Sequence, residues 1–255
     1  MLVVISPAKS LDFEKQSIVT DSSQIEFKEE AIQLVQELKV LNREDIGSLM
    51  SLSDKLSKLN YDRYQNFKRS YTESNSKQSL LAFKGDVYVG MEAENFSQND
   101  FSYAQDHLRI LSGLYGTLKP LDLIQPYRLE MGTKFENSVG KNLYEFWGNK
   151  VTDSINSQLK KSKSEFLVNL ASNEYFKVLK KKQINAQIIT PNFKDAKNGQ
   201  YKMISFFAKK ARGAMTAYII QNKITKVEGL KGFNWDGYVY NESLSKGNDL
   251  IFTRG

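Results

Sequence analysis

Four short apolar runs divide this chain: LVVIS (2–6), SEFLVNLAS (164–172), AQIITPNF (186–193) and DLIFTR (249–254), with stretches of helical spacing between them. Runs of this length, bounded by turn residues such as Pro7, read as buried strands. Residues 28–41, KEEAIQLVQELKVL, put apolar side chains at 31, 32, 34, 35, 38 and 41 with charges between, which predicts an amphipathic helix. Further helices are expected around 43–59, 61–71, 142–161 (weakened at Gly148), 172–182 and 208–222. YKMISFF (201–207) is read as a strand running directly into the last of these. LLAFKGDVYVGM (80–91) mixes aromatic and β-branched residues around Gly85 and is read as strand, turn or bulge, strand. The pattern predicts a mixed α/β fold, a central mixed sheet wrapped by helices. No repeat, low-complexity tract or Pro/Gly-rich linker divides it, so residues 1–255 are expected to form one domain.

Composition removes several chemistries. The chain has no cysteine and one histidine, His107, which excludes disulfides, thiolate metal sites and cysteine nucleophiles. No apolar run approaches the roughly 20 residues of a membrane span, and the start lacks a signal peptide's basic opening, so a cytoplasmic protein without a membrane partner is expected. The formal net charge is +7, unevenly distributed. Residues 1–149 hold 17 Lys and Arg against 21 Asp and Glu, whereas residues 150–215 hold 14 against 4. A basic segment of this kind is the footprint of a polyanion binder or, more blandly, a solvated lysine-rich surface.

LRILSGLYGTLKPLDLIQ (108–125) carries Gly113 and Gly116 between apolar flanks. One reading is a helix-hairpin-helix-like element over 99–126. A helix capped by Asn99 or Asp100 enters the glycines, and a second helix starts at Pro120. Gly113, Leu114, Tyr115, Gly116 and Thr117 then present free backbone donors to phosphate, with Lys119 adding charge. The alternative is a plain turn between two helices. Two residues separate the glycines, where the usual hairpin has one.

Lys209, Lys210 and Arg212 are expected at the start of a helix that follows a strand, where cations oppose the helix dipole unless an anion is near. Polar residues also interrupt apolar surroundings at strand ends: Ser6 and Lys9, Lys84 and Asp86, Arg128 and Glu130, Asn169, Ser172 and Glu174. Such ends commonly line ligand crevices. If they converge, Lys9, Lys84, Asp86, Glu130, Asn169 and Glu174 are candidates for acid-base chemistry on a nucleotide-like small molecule; if they scatter, they are caps and ion pairs. Ser172 or Asn173 is read as a helix cap. No standard nucleotide fingerprint is present, and no carboxylate spacing singles out a metal site, so neither cofactor nor metal is expected.

The blocks MLVVISPAKSLDF, LSDKL, LLAFKGDVYVGM, HLRILSGLYGTLKPLDLIQPYRLEMG, LYEFWGN, NLASNEYFK, ISFFAKKARGAM and GFNWDGY occur in the same order as in the YaaA family of bacterial peroxide-stress proteins, which the whole chain resembles. Ser10 stands where threonine is expected. The resemblance implies a family-specific compact α/β fold, protection of DNA from oxidative damage, an association with lowered free iron, and sequence-independent DNA binding through a helix-hairpin-helix element beside a positive cleft. On that basis the turn, Lys119, Arg128, Lys209, Lys210 and Arg212 are the expected DNA contacts. One histidine and no cysteine make direct iron sequestration a poor fit. The oligomeric state is left open, with a monomer the simpler arrangement.

Overall fold

The computed structural model describes residues 1–14 and 17–255. Its main sheet contains β1 (Leu2–Ile5), β2 (Leu108–Ser112), β3 (Gly116–Leu118), β4 (Phe166–Leu170), β5 (Gln187–Lys197), β6 (Gln200–Lys202), β7 (Val239–Tyr240) and β8 (Asp249–Arg254). The order is β7-β8-β5-β4-β1-β2-β3, with β6 hydrogen-bonded to the far end of β5. β8, β5, β4, β1 and β2 run parallel, while β3, β6 and β7 each return antiparallel to a neighbour. β1 and β2 are buried along their whole length, the signature of a parallel sheet covered on both faces.

The helices include α1 (Lys28–Lys39), α2 (Arg43–Met50), α3 (Asp54–Asn66), α4 (Asp86–Met91), α5 (Gln98–His107), α6 (Leu143–Trp147), α7 (Lys150–Lys161), α8 (Asn173–Phe176) and α9 (Ser205–Gln221), with single turns at Ser79–Ala82 and Val227–Leu230. α1 buries Ala31, Ile32, Leu34, Val35 and Leu38, the stripe its spacing predicts. α2 and α5 begin at reciprocal caps, Asn42 with Asp45 and Ser97 with Asp100. The expected helix over 142–161 is two helices, separated where Gly148 takes φ +50°. The helix expected over 172–182 shrinks to one turn followed by a short 3-10 segment. Among the described residues, no helix is long and apolar enough to cross a membrane.

Two expectations fail in instructive ways. DVYVGM is not a strand but α4, and its reason is tertiary. Gly90 lies so close to Lys210 that a Cβ would sit 2.1 Å from the Lys210 carbonyl oxygen, and one on Gly213 would sit 1.8 Å from that of Val87. Two glycines thus let α4 and α9 touch backbone to backbone, and that packing overrides the β preference of Val and Tyr.

The helix-hairpin-helix-like element over 99–126 is absent as well. α5 ends at His107, LRILS is the buried strand β2, and GTL returns as β3 with Ser112 opposite Gly116. After Pro120 comes the two-residue strand Leu123–Ile124, paired with Lys77–Gln78, rather than a helix. A fully buried five-residue strand and a buried helical turn look alike in sequence, which is why the apolar flanks misled.

Candidate functional site

The chain leaves β1, forms β2 and β3 on one side of it, then crosses back to β4 on the other side and continues outward to β5 and β8. The order therefore reverses between β1 and β4. In open α/β sheets the carboxyl ends of the strands flanking such a reversal diverge and leave a crevice.

Ser6 and Ser172 stand at those two ends. The Ser172 N–H donates to Ser6 Oγ at 2.9 Å, and the Ser6 hydroxyl donates to Ser172 Oγ at 3.3 Å. Ser172 also caps α8 through the Tyr175 N–H, as its sequence position predicts. The Tyr88 hydroxyl donates to the Ser6 carbonyl at 3.1 Å and fastens α4 to the end of β1. The segment after β1 is held by a ribbon in which Ser10 pairs with Lys84 and Leu11 with Phe83.

The result is a cleft of about 400 Å³ lined by Ser6, Lys9, Lys84, Asp86, Glu130, Ser172, Glu174, Lys209 and Arg212, with Tyr88 and Tyr175 in its wall. That volume is at the lower end of the range for small-molecule sites. Lys209 Nζ lies 3.8 Å from Asp86 Oδ2, a pairing that the α4–α9 contact brings about. Glu174 Oε1 accepts the Gly132 N–H at 2.9 Å, tying the segment after Glu130 to α8. Glu130 Oε1 receives Lys9 Nζ at 3.1 Å and, from behind, Arg128 Nη2 at 3.1 Å and Nε at 3.3 Å.

Arg212 differs from its neighbours. It is only partly exposed, and among the described residues its guanidinium has no ion pair and no side-chain hydrogen bond. Burial lowers its pKa below the ordinary value, and no nearby carboxylate opposes that. An arginine stays charged regardless. A partly desolvated cation with no paired carboxylate is costly, and an anion in the cleft would offset that cost. Burial also raises the hydroxyl pKa of Tyr88 and of Tyr175, so both serve as neutral hydrogen-bonding groups.

Other sequence candidates are placed elsewhere. Gly113 to Thr117 are all buried. The Gly113 carbonyl accepts Trp147 Nε1–H at 3.0 Å, and a Cβ there would sit 2.3 Å from the Leu129 carbonyl oxygen. Gly116 adopts φ +66° against the Trp147 ring. The turn's glycines thus serve close packing and a left-handed backbone, with no face open to phosphate. Lys119 pairs with Asp122 at 3.6 Å. Asn169 is buried on β4, where its Oδ1 accepts the Ala171 N–H at 3.1 Å and shapes the strand end without lining the cleft. Lys210 lies 4.4 Å over the Phe206 ring. α9 starts at Ser205, so Lys209, Lys210 and Arg212 are past its first turn and the dipole argument does not apply to them.

The basic segment also divides. Lys163 and Lys180 to Lys182 precede the parallel strands β4 and β5, at the end of the sheet away from the cleft, whereas Lys197 ends β5 and Lys202 and Lys209 follow it, toward the carboxyl end of the sheet. Among the described residues, no three His, Asp or Glu side chains form a group able to hold a metal ion.

Sheet order and crevice define an α/β protein with a cleft at the switch point of its sheet. The particular family follows from comparison. The family model described as peroxide stress protein YaaA matches residues 1–244, and the chain belongs to that family. It is similar over its whole length to UPF0246 proteins of Saccharophagus degradans and Teredinibacter turnerae, each 58% identical with 99% of the relative covered. The UPF0246 protein of Cellvibrio japonicus is 55% identical with 98% covered.

Proposed function

We propose that the protein serves the peroxide response by binding a phosphate-bearing nucleotide unit in the switch-point cleft. Arg212, Lys84 and Lys209 hold the phosphate, and the Lys9–Glu130–Arg128 group faces the rest of the ligand. The observation that carries this reading is the partly buried Arg212, which lines the cleft without a counter-ion. The convergence of Lys9, Lys84, Asp86, Glu130 and Glu174 in one concavity favours a bound small molecule over scattered caps. It also supplies carboxylates and amines within reach of one ligand, the groups that acid-base catalysis uses. Calorimetric titration with adenosine 5′-monophosphate (AMP) and with inorganic phosphate tests it. Arg212→Ala is expected to lose at least ten-fold in affinity for both; equal binding by native protein and variant removes the site.

A second reading makes DNA the carrier of that unit. In the stretch of chain before Arg212, exposed Tyr201 and Phe206 alternate in sequence with Lys197, Lys202, Lys209 and Lys210. Aromatic side chains between lysines suit sequence-independent contact with a single strand, through stacking and phosphate charge. On this reading, affinity for a single-stranded oligonucleotide falls steeply between about 50 and 200 mM salt. Replacing Lys209 and Lys210 lowers the salt slope by about one each. Salt-insensitive binding rejects DNA while leaving the nucleotide reading in place.

A further inference from the structure

Glu130 is held in a way that a purely structural ion pair does not need. An arginine facing a carboxylate ordinarily sets its two parallel N–H groups on the two oxygens. Here Arg128 Nε and Nη2 both approach Oε1, at 3.3 and 3.1 Å, and Lys9 Nζ reaches the same oxygen at 3.1 Å. Among the described residues, Oε2 is buried and has no hydrogen-bond partner, although Glu130 lines the cleft. Buried polar atoms in native proteins are overwhelmingly paired, so an unpaired carboxylate oxygen at a ligand cleft marks a place for a ligand's donor.

We infer that Glu130 Oε2 is a specificity-determining acceptor: the cleft takes ligands that carry, besides the anionic group, a neutral N–H or O–H donor directed at this oxygen. On a nucleotide that donor is either an exocyclic or ring N–H of the base or a ribose hydroxyl. The inference rests on the reading of the cleft as a phosphate-ligand site. It excludes a simple anion trap, which has no use for a carboxylate.

Glu130→Gln makes the two ideas predict opposite signs. Arg128 and Lys9 have only donors, so they select the amide oxygen and leave the amide NH₂ where Oε2 stood. The variant thereby turns an acceptor into a donor and removes one negative charge. If charge alone matters, every anion binds the variant more tightly. If Oε2 receives a donor, inorganic phosphate binds as well or better, while AMP binds at least ten-fold more weakly, because two donors then face each other in a desolvated site.

Calorimetric titration of native protein and Glu130→Gln with inorganic phosphate, AMP, N6,N6-dimethyl-AMP and 2′,3′-dideoxy-AMP reads this directly. The two analogues place the donor on native protein, with no variant required to fold. Ten-fold loss with the dimethyl compound assigns it to the base, and ten-fold loss with the dideoxy compound assigns it to the sugar. AMP binding to Glu130→Gln at native strength or better, or native protein that binds both analogues as tightly as AMP, overturns the inference and leaves the phosphate site standing. Native protein that binds neither phosphate nor AMP overturns the phosphate site and the inference with it.

Discussion

The turn from Ser112 to Gly116 and the cleft beyond β1 and β4 lie at the carboxyl ends of neighbouring parallel strands, yet they treat polar groups in opposite ways. In the turn, Trp147 Nε1–H meets the Gly113 carbonyl, and the Ser112 hydroxyl contacts both the Tyr115 N–H and the Tyr127 hydroxyl. Each of these groups is matched inside the protein. In the cleft, among the described residues, neither the Arg212 guanidinium nor Glu130 Oε2 has a hydrogen-bond partner. Internal pairing of this kind holds the fold, and on the proposed reading the unpaired groups of the cleft are completed by a ligand.

The largest expected effect breaks the turn. Gly113→Ala sets a methyl group 2.3 Å from a backbone oxygen that cannot rotate away, and Gly116→Ala adds left-handed strain to a 2.8 Å approach to Trp147. Overpacking of this kind costs about 3 kcal/mol. Urea unfolding is expected to show that loss for each variant, while AMP affinity of the folded fraction stays native. Normal stability, or a selective loss of binding, puts the turn in the site after all.

The next effect crosses between the regions. Gly213→Ala directs a Cβ at the Val87 carbonyl oxygen at 1.8 Å and so forces α9 off α4. About 1–3 kcal/mol of stability is lost by overpacking. Because Asp86 and Lys209 meet only through this contact, ligand affinity drops together with it. A variant that loses stability but binds AMP normally shows that the helix crossing does not set the cleft's geometry.

Much of the fold was legible because its signals are local. Four apolar runs gave β1, β4, β5 and β8, and one amphipathic stripe gave α1. Most of the cleft residues were legible as well, since Lys9, Lys84, Asp86, Glu130 and Glu174 interrupt apolar surroundings. What misled was set by contacts distant in sequence. Whether LRILS is a strand depends on β1, whether DVYVGM is a helix depends on Gly213, and the role of SGLYG depends on Trp147. Tyr88 and Tyr175 were missed in the cleft wall because aromatic residues in those runs carry no sign of which way they face.

A smaller effect sharpens the contrast by its sign. Arg212→Ala removes a partly desolvated cation that, among the described residues, leaves no ion-pair partner stranded, so unfolding stability is expected to stay within about 0.5 kcal/mol of native or to rise. Most partly buried residues lose stability on truncation. A clear loss in the urea midpoint means that Arg212 is held by the fold, and the case for a waiting anion site weakens.

The smallest expected effect concerns the single histidine, at the opposite end of β1 from the cleft. His107 Nδ1 lies 2.9 Å from the Met1 carbonyl and its ring stacks on Tyr103 at 4.0 Å. A carbonyl only accepts, so the proton is on Nδ1. Desolvation by burial lowers the His107 pKa in the folded chain below the ordinary 6.5, outweighing the Met1 hydrogen bond, which acts the other way. A lowered folded pKa means that the unfolded chain takes up the proton first. The contribution is therefore fully present above about pH 6.5 and is lost as pH falls through the folded value. Urea midpoints at pH 7.5 and 5.5 are expected to fall further for native protein than for His107→Asn, whose side-chain N–H reaches the same carbonyl but does not titrate. AMP affinity, set at the other end of the strand, is expected to show no such difference between the two proteins. Identical midpoint losses remove His107 from the pH response, and an affinity that follows the midpoint ties the two ends of β1 together.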